Sequence, residues 1–62
     1  MKVFEVRIAI GNYDFDRFVK AASLEKALEK SLLYGERKAK KENRPGKVQV
    51  VRIEETRKEF IP

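Results

Sequence analysis

The chain has no cysteine and no histidine among its 62 residues. The first absence removes disulfides, thiolate nucleophiles and cysteine-based metal sites. The second removes the commonest general base and the commonest metal ligand. No apolar run approaches the ~20 residues of a membrane-spanning helix. Charges at Lys2, Glu5 and Arg7 interrupt the N-terminal segment before it can read as a secretion signal. A cytoplasmic protein with no cofactor, no metal and no membrane partner is therefore expected. The glycines are isolated, so no phosphate-cradling loop exists. Also missing are an aromatic ribonucleoprotein signature, a GxxG clamp and a zinc-finger spacing.

What the chain has in abundance is charge. Fifteen Lys and Arg stand against ten Asp and Glu, a net charge of +5, and charged residues make up 40% of the sequence. Hydrophobic residues make up 42%, enough for one small folded unit over residues 1–62. A unit this short has a poor ratio of core to surface and needs clean patterning or a partner.

Residues 2–10 alternate, with Phe4, Val6, Ile8 and Ile10 on one face, which predicts a strand. Gly11-Asn12 suits the tight turn of a hairpin, of type II′ or I′, into a second strand over 13–21. That two-residue loop dictates the register. Ile10 faces Tyr13, Ile8 faces Phe15, Val6 faces Arg17 and Phe4 faces Val19. On the other face Arg7 meets Asp16, a favourable cross-strand ion pair. Arg17 then falls among core-facing positions, an inward charge of the kind that guards an edge strand.

Ser23 is a good helix N-cap, with Glu25 in the first turn. Leu24, Ala27, Leu28, Ser31, Leu32, Gly35 and Ala39 share an arc of roughly 140°, which predicts a helix over 24–42. The competing reading ends it at Tyr34, with Gly35 as the residue after the C-cap. Arg44-Pro45-Gly46-Lys47 fits a type II turn, leading to a third strand over 47–54. The apolar parity of that strand shifts between Val50 and Val51, so either a β-bulge lies there or both faces are covered. Residues 56–62, with Phe60 and Ile61, form a tail or a short fourth strand. The expected fold is α+β, in the order β-β-α-β. Three strands lie in the order 2-1-3, the third parallel to the second, with the helix on one face.

Two surfaces stand out. Lys26, Lys30, Arg37 and Lys41 share an arc of roughly 60° on the helix. Residues 36–47 hold six Lys/Arg and two Glu, a net of +4. The functional reading is a footprint for the RNA or DNA backbone, carried by Lys26, Lys30, Arg37, Lys40, Lys41, Arg44 and Lys47. The plain reading is a solvated helix end whose cations complement the dipole. The second surface is the open sheet face, where Val3 and Phe18 lie among charges, joined by Val51 and Ile53 depending on the bulge. It suits a protein partner, as a homodimer or a phage-type regulator or inhibitor, as does the sheet edge. Asp14 and Asp16 share a face, but pairing with Arg7 is a simpler use for them than catalysis. An enzyme with a small-molecule substrate is not expected, because one helix on three strands leaves little room for a pocket.

The segments Lys2-Val3-Phe4-Glu5-Val6, Arg17-Phe18-Val19-Lys20-Ala21 and Leu24-Glu25-Lys26-Ala27-Leu28-Glu29 look like the opening of archaeal LX-type ribosomal proteins. The resemblance implies the same strand, strand, helix, strand order and no particular binding residue. In compactness and charge density the chain is also similar to small phage or mobile-element proteins and to proteins of thermophiles.

Overall fold

The computed structural model describes residues 1–56. The elements are β1 (Lys2–Ile10), β2 (Tyr13–Ala21), α1 (Leu24–Lys41) and β3 (Val48–Thr56). The strands lie in the order β2-β1-β3, with β1 antiparallel to both neighbours. β2 and β3 are therefore parallel to one another, and α1 carries the crossover between them.

The hairpin has the register that its two-residue loop demands, with Ile10 opposite Tyr13, Arg7 opposite Asp16 and Phe4 opposite Val19. Gly11 has a φ of 60° and Asn12 a negative one, which selects the type II′ turn over type I′. On the other side of β1, Arg7 pairs with Arg52 and Ile8 with Val50, so Val51 is an extra residue. Of the two readings that the parity shift in β3 left open, this is the bulge. Its effect is to keep Val48, Val50 and Ile53 opposite Ile10, Ile8 and Val6.

The core grows from the central strand. Phe4, Val6, Ile8 and Ile10 are all buried, joined by Val19, Ala21, Ala27 and the Ser31 side chain. Burial of each larger side chain is worth about 1.5–3 kcal/mol, so β1 contributes most of the apolar stabilisation. Phe15, Tyr34, Val48, Val50 and Ile53 pack around this centre.

The helix meets the sheet through small residues. Its buried positions are Ala27, Ser31 and Gly35, four apart. Leu24 and Leu28, expected within the packed arc, remain 54% and 39% exposed, because the close contact is narrower than the apolar arc. α1 runs straight through Gly35, against the reading that stopped it at Tyr34. A β-carbon at Gly35 would lie 2.6 Å from Val48 Cγ1 and 3.0 Å from Ile8 Cγ2. This glycine serves close approach, not termination.

The true stop is Asn43, which the sequence reading passed over. Its φ is 53°. Arg44 N–H donates to the Ala39 carbonyl at 2.9 Å and Asn43 N–H to the Lys40 carbonyl at 3.4 Å. Those two bonds are a Schellman closure with Asn in the left-handed position. Gly46, at φ 113°, then meets the need of a type II turn for a positive φ at its third residue. At the other end Ser23 Oγ accepts from Lys26 N–H at 3.3 Å, the N-cap bond. Among the described residues, no helix is long and apolar enough to cross a membrane. The expected tail or fourth strand over 56–62, with Phe60 and Ile61, lies outside the described residues except for Thr56, which ends β3.

Candidate nucleic-acid interface

β2 is an edge strand, and its parity turns Arg17 toward the helix, opposite the buried Val6. A guanidinium cannot enter an apolar core without a partner. Arg17 instead lies over the Tyr34 ring, its Cζ 3.7 Å from the centroid, and stays exposed. Tyr34 is itself held edge-on by Phe15, with ring centroids 6.0 Å apart at 62°. On α1, Lys30, Leu33, Tyr34 and Arg37 follow helical spacing and present one face toward the β2 edge.

Between these walls runs a cleft of about 330 Å³, lined by Arg17, Phe18, Val19, Lys20, Lys30, Leu33, Tyr34 and Arg37. Arg17, Lys30 and Arg37 bring three cations to it, with no carboxylate among its lining residues. Lys20, opposite Val3 and so of the same parity as Phe18, meets the cleft through its backbone at the edge. Lys30 Nζ reaches across and donates to the Lys20 carbonyl at 2.8 Å, which holds the ammonium inside the cleft. By register the Phe18 side chain belongs to the open sheet face, so it meets the cleft only at the β2 edge.

A second cleft of about 290 Å³ adjoins it, lined by Tyr34, Arg37, Lys38, Lys41 and Glu42. Its charge is partly neutralised. Glu42 accepts from Lys38 Nζ and from Arg44 Nε, each at 2.7 Å. Those bonds, Lys38 first, hold the Glu42 carboxyl below its ordinary value, and the same contact raises Lys38. Arg44 also covers the Tyr13 ring, 3.6 Å from its centroid.

The expected basic residues therefore divide. Lys30 and Arg37 line the first cleft and Lys41 the second. Lys26 shares their helical stripe but sits 3.7 Å from Glu29. Arg44 is committed to Glu42 and Tyr13. Lys40 and Lys47 are exposed and line neither cleft. Arg17 completes the first cleft and was missed as a site residue. The signal was present, because Arg17 was the one charge on the packed face of β2. Leu33, a lone apolar residue between charges in the helical pattern, is 54% exposed at the same cleft.

The open sheet face has a different character. Arg7 donates to both oxygens of Asp16, at 2.9 and 3.2 Å, with Asp14 at 3.8 Å. Arg52 lies 3.1 Å from Glu54 and 3.6 Å from Glu5. The hydrogen bond to Arg7 lowers the Asp16 pKa and raises that of Arg7, and the bond to Glu54 raises Arg52. Arg7 and Arg52 stand directly opposite one another, a repulsive pairing offset by the carboxylates around them. Val3 is half-buried on this face and Phe18 is 42% exposed. Val51, in the bulge, is 59% exposed. Ile53 does not join them. It faces Val6 and packs on the core, because the bulge shifted its parity. Among the described residues, no group of three or more Asp or Glu could hold a metal ion.

No family model, curated protein or solved structure matches this chain.

Proposed function

We propose that this protein is a small non-enzymatic module that binds the nucleic-acid backbone through the basic cleft between β2 and α1. What supports this reading is the lining of that cleft, with Arg17, Lys30 and Arg37 converging and no carboxylate between them. Among the described residues none of the three is in an ion pair, whereas Lys38 and Arg44 are paired with Glu42. Like charges gathered in this way repel one another, and an anionic chain relieves the repulsion while releasing its counterions. Lys41 and Lys26 extend the same stripe along the helix.

The test is titration of labelled oligonucleotides at several salt concentrations. Three phosphate contacts predict a log–log salt slope of about −2 on a single strand. Charge reversal at Arg37 and Lys41 together weakens binding to all sequences alike. Unchanged affinity in that variant, with its circular dichroism intact, rules the cleft out.

A second reading, a protein-interaction surface or homodimer on the sheet, draws on the exposed Phe18 and Val51. Sedimentation decides it. A dimer lost in Phe18→Asp supports it, and a monomer at high concentration removes the self-association form.

A further inference from the structure

The basic cleft holds more than charge. A duplex presents phosphates and sugars on its outside and keeps its bases stacked within. Cations alone suffice for such a ligand. Yet Leu33 is 54% exposed at this cleft, between Lys30 and Arg37 on the helix. Beside it, the Arg17 guanidinium is backed by the Tyr34 ring, which Phe15 holds edge-on. The planar cation is thus pre-oriented with little side-chain freedom left to lose. Guanidinium planes and apolar side chains are the surfaces on which unstacked bases settle.

We propose that the cleft takes single-stranded nucleic acid, with one base seated on Arg17 against Leu33 and the neighbouring phosphates on Lys30 and Arg37. The proposal rests on the nucleic-acid reading above and specifies its ligand. Lys30 is suited to its part, because the bond to the Lys20 carbonyl uses one of its three N–H donors and leaves two for a phosphate. An acidic peptide matches the cations equally well but brings no flat ring for the guanidinium and the leucine.

The experiment compares fluorescein-labelled oligo-dT and oligo-U of about ten nucleotides with an abasic strand of equal length and a matched duplex. Fluorescence anisotropy at low salt reads the affinities, and polyglutamate serves as a competitor. The expected result is that oligo-dT or oligo-U binds about tenfold more tightly than the abasic strand or the duplex. The sugar with the advantage identifies the natural strand. Arg17→Lys keeps the charge and loses the plane, so it abolishes that advantage and brings oligo-dT and oligo-U down to the affinity of the abasic strand. Leu33→Ala, on the exposed helix surface, reduces it several-fold.

Equal affinity for all four probes overturns the proposal and leaves the backbone-binding reading standing, as does an Arg17→Lys variant that retains the full advantage. Binding of no probe overturns both. Competition by polyglutamate as strong as by oligo-dT overturns the proposal in favour of an acidic peptide.

Discussion

Gly35 and Val48 are so closely packed that a β-carbon on the glycine would stand 2.6 Å from Val48 Cγ1. The helix reaches the sheet at this point because it carries no side chain there. Gly35→Ala gains about 1 kcal/mol of helix propensity. It also overpacks a stiff β-branched neighbour, at a cost of about 1–3 kcal/mol. The expected net effect is a loss of about 1 kcal/mol, read as a lower urea midpoint. Adding Val48→Ala makes room for the methyl group, so the two substitutions are less destabilising together than the sum of each alone. Strict additivity would show that the contact is slack.

Gly46 is under a double constraint. Its φ is 113°, and a β-carbon there would meet Gly11 Cα at 2.5 Å. Backbone meets backbone at this point, and Gly11 N–H donates to the Lys47 carbonyl at 3.1 Å. Gly46→Ala is expected to cost about 2 kcal/mol or more, through both strain and displacement of the hairpin turn. Thermal melts of Gly46→Ala and Gly35→Ala give the comparison, with Gly46→Ala expected to melt lower.

Asn43 occupies a left-handed position in which glycine is at ease. Asn43→Gly is expected to be neutral or slightly stabilising, and Asn43→Ala to cost about 1 kcal/mol. Equal stability of the two variants would show that the closure contributes nothing.

Ser31 is fully buried, and its hydroxyl donates to the Ala27 carbonyl one turn back at 2.7 Å. That carbonyl lies inside the helix, so removing the hydroxyl leaves no acceptor dependent on it. Ser31→Ala is expected to fall within about 0.5 kcal/mol of the parent or above it. Ser31→Val, with a bulkier branch against the sheet, is expected to be clearly less stable. Chemical denaturation separates the two.

Glu42 links stability to binding. Its pKa is lowered from an ordinary 4.5 by Lys38 and Arg44. Asp16 is lowered from 3.8, first by its hydrogen bond with Arg7. A depressed carboxylate stabilises the fold fully above its unfolded value, and the contribution disappears as pH falls through the folded value. The melting temperature should therefore decline as the pH drops below about 5, and less steeply in Glu42→Gln and Asp16→Asn. Glu42→Gln also frees two cations beside the cleft. It should bind oligonucleotides more tightly with a steeper salt slope, whereas Asp16→Asn, on the opposite face of the sheet, should not.

Much of the fold was legible because its constraints are local. Four alternating apolar residues placed β1 at the centre, a two-residue loop set every pair in the hairpin, and the parity break at Val50-Val51 left a bulge as one of two readings. Less legible was whatever depends on neighbours distant in sequence. The role of Gly35 could be read either way until Val48 lay beside it, and Ile53 could not be assigned to a face until the bulge was located.

The candidate site follows the same division. Sequence alone determined that the charge is positive, that it gathers on one stripe of α1, and that histidine and cysteine chemistry is absent, because composition and helical spacing are properties of the chain itself. Only the tertiary structure decided which cations face an anion. It brought Arg17 from the edge strand to Lys30 and Arg37, and it tied Lys38 and Arg44 to Glu42. Charge belongs to the residue, but its availability depends on what the folded chain places within a few ångströms of it.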